Sequence, residues 1–383
     1  MRRAGTRIRV TAQLINAADG YHLWSERYDR ELADVFAVQD EIAAAIARAL
    51  EIKLTLKPAT PDRYKPNLPA YEAYLMARRH ATLIGREVSW ERARESYERA
   101  IALDPQFALA YAALATHYLG IWVLGLGSPL EAIREAQVLT QRALDLNPSL
   151  PEAHSILAFV RAEWDCEWEE AGRHFALAMA QESVGPEARQ RYAVYLIAVG
   201  RPHDAVAQMR RAVEEDPLYP RYRLFLAASF WAAGDPEAAG RELRYLSEFD
   251  QNYPSGLWLL AVYHASQGEW GDALRFAERA HAQAPQIPLF SATLAGVLAR
   301  TGDARRAEML LGTLGPPETL GVPRARALFH LMQGDAEQAA MWWEKMIDQR
   351  DYLATGAPRV WAKALLSSPR WPALAKRMNL PSA

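Results

Sequence analysis

The chain has very little sulfur chemistry and almost no net charge. Its one cysteine, Cys166, rules out an internal disulfide and fits a reducing compartment. Lys and Arg number 44 against 46 Asp and Glu, giving a net charge of −2 and none of the basic excess that marks a nucleic-acid binder. No apolar h-region follows the N-terminal arginines, so a secretory signal is not expected. Only one stretch, between Asp104 and Glu131, lacks formal charge for long enough to raise a membrane helix. It contains His117, Gly120, Gly125, Gly127 and Pro129, which favours a buried helix followed by a long turn.

Catalytic patterns are also missing. The nine histidines are scattered, with no His-x3-His and no cysteine partner, so neither a metal nor another cofactor is expected. Gly125-Leu-Gly127 is too short for a dinucleotide fingerprint and would join two helices. The carboxylates of Trp164-Asp-Cys-Glu-Trp-Glu-Glu170 read as a complement to a helix dipole rather than as an acid/base pair. Cys166 stands where later units place glycine and has no His or Asn company that would make it a nucleophile. No enzymatic activity is expected.

What is present is a period. Prolines at 186, 220, 254 and 288, glycines at 200, 234, 268 and 302, and alanines at 193, 227, 261 and 295 all step by 34, as do alanines 205, 239, 273 and 307. Proline suits the first turn of a helix, where its missing N–H would be unpaired anyway. Glycine supplies the left-handed residue that ends a helix, and alanine lets two crossing helices approach closely. The pattern predicts helix–turn–helix units from about Leu68 to Arg350, eight in all. The step from Pro105 to Pro148 carries nine extra residues, which the Gly120–Ser128 turn is expected to absorb.

The first sixty residues follow a different rule. Arg7–Asn16 alternates polar and apolar residues as a strand does, 16–20 is a turn, and Tyr21–Tyr28 reads as the returning strand. Asp34 can cap a helix running to about Leu56. The basic cluster Arg2, Arg3, Arg7 and Arg9 reads as a solvated strand face.

The 34-residue unit with small residues in its first helix, Ala-x3-Phe-x2-Ala in its second and a closing proline resembles the tetratricopeptide repeat. The segment from Arg7 to Leu32, with Val35-Phe-Ala-Val-Gln-Asp-Glu-Ile42, resembles the C-terminal half of the TolB-like amino-terminal domain of bacterial signalling proteins. The tail from Leu365 to Pro381 resembles the usual ending of the same proteins. The resemblance implies a mainly α fold, an α-solenoid of about eight helix pairs preceded by a small partial α+β segment. It divides the chain into 1–57 (half of a TolB-like domain), 58–67 (linker), 68–350 (repeats) and 351–383 (helical cap). It also implies a non-catalytic interaction scaffold in bacterial signalling. An upstream cyclase or winged-helix DNA-binding domain would then be its partner, in cis or in trans.

In this fold the first helix of each unit lines the concave groove, where a protein or peptide partner would lie. By register, that set includes Gln190, Val194, Arg221, Leu224, Trp231, Trp258, Val262 and Arg300. The two tryptophans are equally readable as core. Direct nucleic-acid binding is not expected, because the equivalent positions Gln190, Leu224, Trp258 and Ala292 vary freely. The chain is expected in the cytoplasm, or in the periplasm or on a membrane if an upstream anchor exists.

Overall fold

The computed structural model describes residues 2–4, 7–15, 22–31, 41, 64–81, 87–125 and 127–381. Contact density divides the chain into residues 1–72 and 73–383. In the first unit, β1 (Arg2–Ala4), β2 (Arg7–Ile15) and β3 (His22–Glu31) form an antiparallel sheet in that order. β2 and β3 are the expected hairpin, and β1 adds an edge strand to it. Arg9 and Asp29 face each other across the ladder, and the guanidinium Nε donates to Asp29 at 3.0 Å. The helix expected over 34–56 lies outside the described residues, except for Glu41.

The rest is a mainly α solenoid, as the period requires. Eight helix pairs occur among the described residues. They are α1 (Leu68–Ala81) with α2 (Glu87–Leu103), α3 (Ala108–Leu124) with α4 (Pro129–Leu146), and α5 (Pro151–Glu163) with α6 (Trp168–Met179). Next come α7 (Pro186–Ala198) with α8 (Pro202–Glu215), α9 (Pro220–Ala232) with α10 (Pro236–Phe249), and α11 (Pro254–Ser266) with α12 (Trp270–Gln283). The last two are α13 (Pro288–Thr301) with α14 (Ala304–Gly312) and α15 (Val322–Gln333) with α16 (Ala336–Asp348). Then follow α17 (Leu353–Val360), a 3-10 turn (Lys363–Ser367) and α18 (Trp371–Arg377).

The periodic residues do what their chemistry allows. Prolines 186, 220, 254 and 288 each open a helix. The first-helix alanines 193, 227, 261 and 295 are fully buried. Gly234 takes φ +84°, and Cys166, at the equivalent turn, takes φ +59°. An L-residue reaches that region only with some strain, so Cys166 is held there by its surroundings. Asp235, Asp303 and Asp335, each just after its turn, accept a backbone N–H three residues on and cap the second helix.

The nine extra residues are not a loop. α3 has 17 residues where α5, α7, α9 and α11 have 13, and α4 has 18 where α8, α10 and α12 have 14. Each helix of the pair gains about one turn, which leaves its buried face in phase. The turn expected from Gly120 therefore starts only at Gly125, at φ +71°. Gly120 itself is helical, and a Cβ there would sit 2.5 Å from the Trp90 ring edge. Trp90 is in turn stacked on buried His117 at 4.2 Å. Gly120→Ala is expected to cost about 1–3 kcal/mol through overpacking, read as a lower melting temperature. An unchanged melt would mean that the indole swings aside freely.

Candidate functional site

The last thirty residues are seated against the C-terminal ends of first helices of several pairs. Trp122 at the end of α3 donates its Nε1 to the Arg350 carbonyl at 2.9 Å, and its ring meets Tyr352 edge-on at 6.2 Å. Arg350 donates to the Trp164 carbonyl and lies over the Trp164 ring. Thr355 on α17 donates its hydroxyl to Glu163 Oε2 at 2.5 Å. Arg359 donates to the Ala198 carbonyl at 3.4 Å, and Lys363 to the Trp231 carbonyl at 3.2 Å. Beyond α18, Trp168 Nε1 reaches the Met378 carbonyl at 2.9 Å, and Asn379 reaches the Cys166 carbonyl at 3.1 Å. The segment thus runs past the C-terminal ends of α3, α5, α7 and α9.

Its other side is packed on the last helix pair. Ala354, Ala357, Ala362, Leu365, Leu374 and Met378 share a core with Ala339, Trp343 and Met346 of α16. Trp343 is fully buried and donates to the Ala354 carbonyl at 3.1 Å. Trp361 bridges the two sides, 5.9 Å from the Trp343 ring and 6.1 Å from that of Trp258.

The chemistry of this joint centres on Glu163, which is only 3% exposed. Burial pushes its carboxyl up to about 8, against the opposing pull of the Thr355 hydroxyl. Its second oxygen, Oε1, is buried without a partner. At neutral pH the group is therefore a protonated acid that holds the segment by one hydrogen bond. Nearby, Asp351 faces Arg324 at 3.4 Å, with both side chains largely buried.

The eight residues singled out by register have different surroundings. Gln190 is buried and accepts from Arg221 Nε at 2.9 Å, so these two are brought together. Val194 packs in one cluster with Trp122, Trp164 and Tyr352. Trp231 and Trp258 are both buried. The first lies edge-on to Tyr263 at 5.7 Å, and the second donates to Thr293 at 2.9 Å. Val262 is buried in the main core, and Leu224 is half-buried against it. Arg300 is exposed, with its guanidinium 5.0 Å from the Trp270 ring at the start of α12. Trp122, Glu163, Trp168 and Tyr352 contribute as much to the joint and have no periodic signal that would expose them.

Among the described residues, His264, Glu269 and Asp272 place ligand-type atoms within 4.8 Å of one another. His264 Nδ1 is bonded to Glu269 at 2.5 Å, its ring is stacked on Phe276, and both carboxylates are exposed. This is a satisfied helix start. No helix among the described residues is long and apolar enough to cross a membrane.

Helix pairs stacked on a 34-residue period, with a C-terminal segment packed across the ends of their first helices, define an α-solenoid. In fold it is similar to a tetratricopeptide array, and the family model for the tetratricopeptide repeat matches residues 186–229. The chain is 38% identical over 164 residues to "Putative adenylate cyclase 3" of Rhizobium meliloti (strain 1021). That match covers 41% of this chain and 27% of the relative, so the chain spans about a quarter of the curated protein it resembles. Among solved structures, the human IFIT1 dimer with PPP-AAAA shares the fold at 13% identity and a TM-score of 0.56, over 83% of this chain and 79% of that one. Yeast Tom70 aligns at 16% identity with a TM-score of 0.48, over 90% of this chain and 77% of that one.

Proposed function

We propose that the chain is a non-catalytic protein-interaction scaffold, the regulatory module of a bacterial signalling protein, and that it binds a peptide or partner domain along its concave face. One observation carries the reading. The first helices already hold polypeptide at their C-terminal ends, and they do so by general means: tryptophan and lysine donors meet main-chain carbonyls across the joint. Arg221 and Leu224, both partly exposed, are the residues of the register set best placed to meet a partner. The proposed layout keeps a partial TolB-like segment over 1–57, a linker over 58–67, the repeats over 68–350 and the cap from 351, in a cytoplasmic setting. Affinity capture by the full chain tests this. Partners should be lost in Arg221→Gln and Leu224→Lys and kept in Val138→Lys, whose side chain is exposed on α4. Capture that survives both concave-face changes would overturn the groove assignment.

The cyclase-named relative supports a second, compatible reading, in which the array regulates a nucleotide cyclase or DNA-binding domain attached upstream or supplied by another chain. Adding the chain to the Rhizobium meliloti relative should change cyclic-nucleotide output if that relative is a working cyclase. An unaltered rate from an active preparation would retire the cyclase form of the idea.

A further inference from the structure

Two histidines twenty residues apart in sequence meet inside the third helix pair. His154 on α5 is buried, and its Nδ1 lies 3.2 Å from Nδ1 of His174 on α6. The other nitrogen of each ring is held as well. His154 Nε2 is 2.9 Å from the Pro148 carbonyl, which can only accept, so this nitrogen carries the hydrogen. His174 Nε2 faces Glu170 Oε1 at 3.3 Å, and an ionised carboxylate likewise asks for a donor. Three contacts therefore call for three hydrogens, and two neutral imidazoles bring only two.

The missing hydrogen belongs at the centre. With both Nε2 atoms donating outward, the two Nδ1 lone pairs face each other, which is repulsive unless a cation lies between them. A proton is poorly held there: burial, His154 and Arg161 all draw it off His174, and Glu170 opposes them. His174 is thereby kept neutral to lower pH than a free imidazole, and neutral imidazole is the form that ligates a metal. A carbonyl or carboxylate on the outer nitrogen is also what fixes the tautomer and orientation of metal-bound histidines. Two nitrogens held about 2.0–2.1 Å from a tetrahedral zinc ion stand roughly 3.3–3.4 Å apart, close to the separation of this pair. The ring centroids are 5.4 Å apart, so the nitrogens meet nearly end to end, and a small turn of the half-buried His174 ring brings both lone pairs onto one ion. The charge of Arg161 is taken up by Asp165 and Glu167, at 3.1 and 3.2 Å.

We propose that His154 and His174 form a site for a divalent transition-metal cation of the zinc class, bound between their Nδ1 atoms and bridging α5 to α6. Imidazole nitrogen suits zinc, copper and nickel. Pro148 and Glu170 are the positioning groups, and water completes the coordination on the open side of His174. The pair escapes a search for His-x3-His because its two ligands come from opposite helices of one hairpin. The His264 group is the contrast, since its Nδ1 is bonded directly to the exposed carboxylate of Glu269. A cation there would compete with a finished contact, whereas between His154 and His174 it supplies the missing one.

The test is calorimetric titration of the full chain with Zn2+ at neutral pH. One ion should bind per chain, and EDTA should remove it. His154→Gln and His174→Gln should each weaken uptake about a hundredfold or more, and Glu170→Gln about tenfold, as loss of a ligand's outer hydrogen-bond partner does. His264→Gln and Cys166→Gly should bind as the parent does, which excludes the other histidine cluster and the thiol; glycine suits the φ of +59° at position 166. A measurement on the unaltered chain guards against variants that fold poorly. Proton–nitrogen spectra of the histidine rings should show both Nδ1 signals moving on addition of Zn2+, with each Nε2 still bearing its hydrogen. No uptake, uptake that survives both histidine changes, or several weak ions scattered over the surface would overturn the proposal. So would a pair that holds a shared proton at neutral pH and ignores zinc.

Discussion

A chain stopped after Gln349 is expected to lose protection from hydrogen exchange at sites more than a hundred residues from the cut. Removing the segment takes away the buried side chains of Ala354, Ala357, Val360, Ala362, Leu365, Leu374 and Met378. At roughly 1–2 kcal/mol for each larger side chain and less for alanine, on the order of 5–10 kcal/mol of packing is lost. In an ordinary repeat array, where each unit touches only its neighbours, the damage would stay in α15 and α16. Here it should also appear around Trp122, Glu163–Trp168 and Ala198–Gly200, whose partners are Arg350, Thr355, Met378 and Arg359. Exchange mass spectrometry on the full and shortened chains reads this directly. Acceleration confined to the last helix pair would show that the long-range contacts contribute nothing to stability.

The second large effect is a pH dependence set by Glu163. Its carboxyl is raised from 4.5 to about 8 in the folded chain, chiefly by burial. Below about pH 4.5 the folded and unfolded chains both hold the proton, and the group costs nothing. Between there and pH 8 the unfolded chain ionises first, so native stability falls as pH rises, by on the order of 4 kcal/mol if the full shift is realised. Glu163→Gln cannot ionise and keeps an acceptor for Thr355. The variant's stability relative to the parent should therefore improve steadily from pH 4.5 to 8, seen as a widening gap in melting temperature. A gap that stays constant over that range would mean that the carboxyl titrates as though exposed.

How far the sequence anticipates these features depends on the range of the forces involved. Proline at a first turn, glycine or Cys166 at a left-handed turn, and alanine at a crossing each report a local requirement, so a fixed spacing exposes them all. The insertion near Gly120 is misread because glycine and a run of apolar residues fit a turn as well as a helix. What decides is the Trp90 ring in the space a Cβ would fill. The seated segment is harder still. Trp122, Trp168 and Glu163 stand at non-repeating positions, and their partners lie 192 to 228 residues away. Nothing in a 34-residue register marks them. The register does find Gln190 and Arg221, which meet, but it includes Arg300, which lies over Trp270 instead.

The distance in sequence between Trp122 or Trp168 and their carbonyl partners also sets a timetable for synthesis. At about 5–20 residues per second, a ribosome needs roughly 10–40 s to add the residues that separate them. During that interval the early helix pairs have emerged with two indole donors and the Glu163 pocket uncovered. A nascent-chain binder that covers such surfaces would have its opening then, and it would close once the final helices arrive.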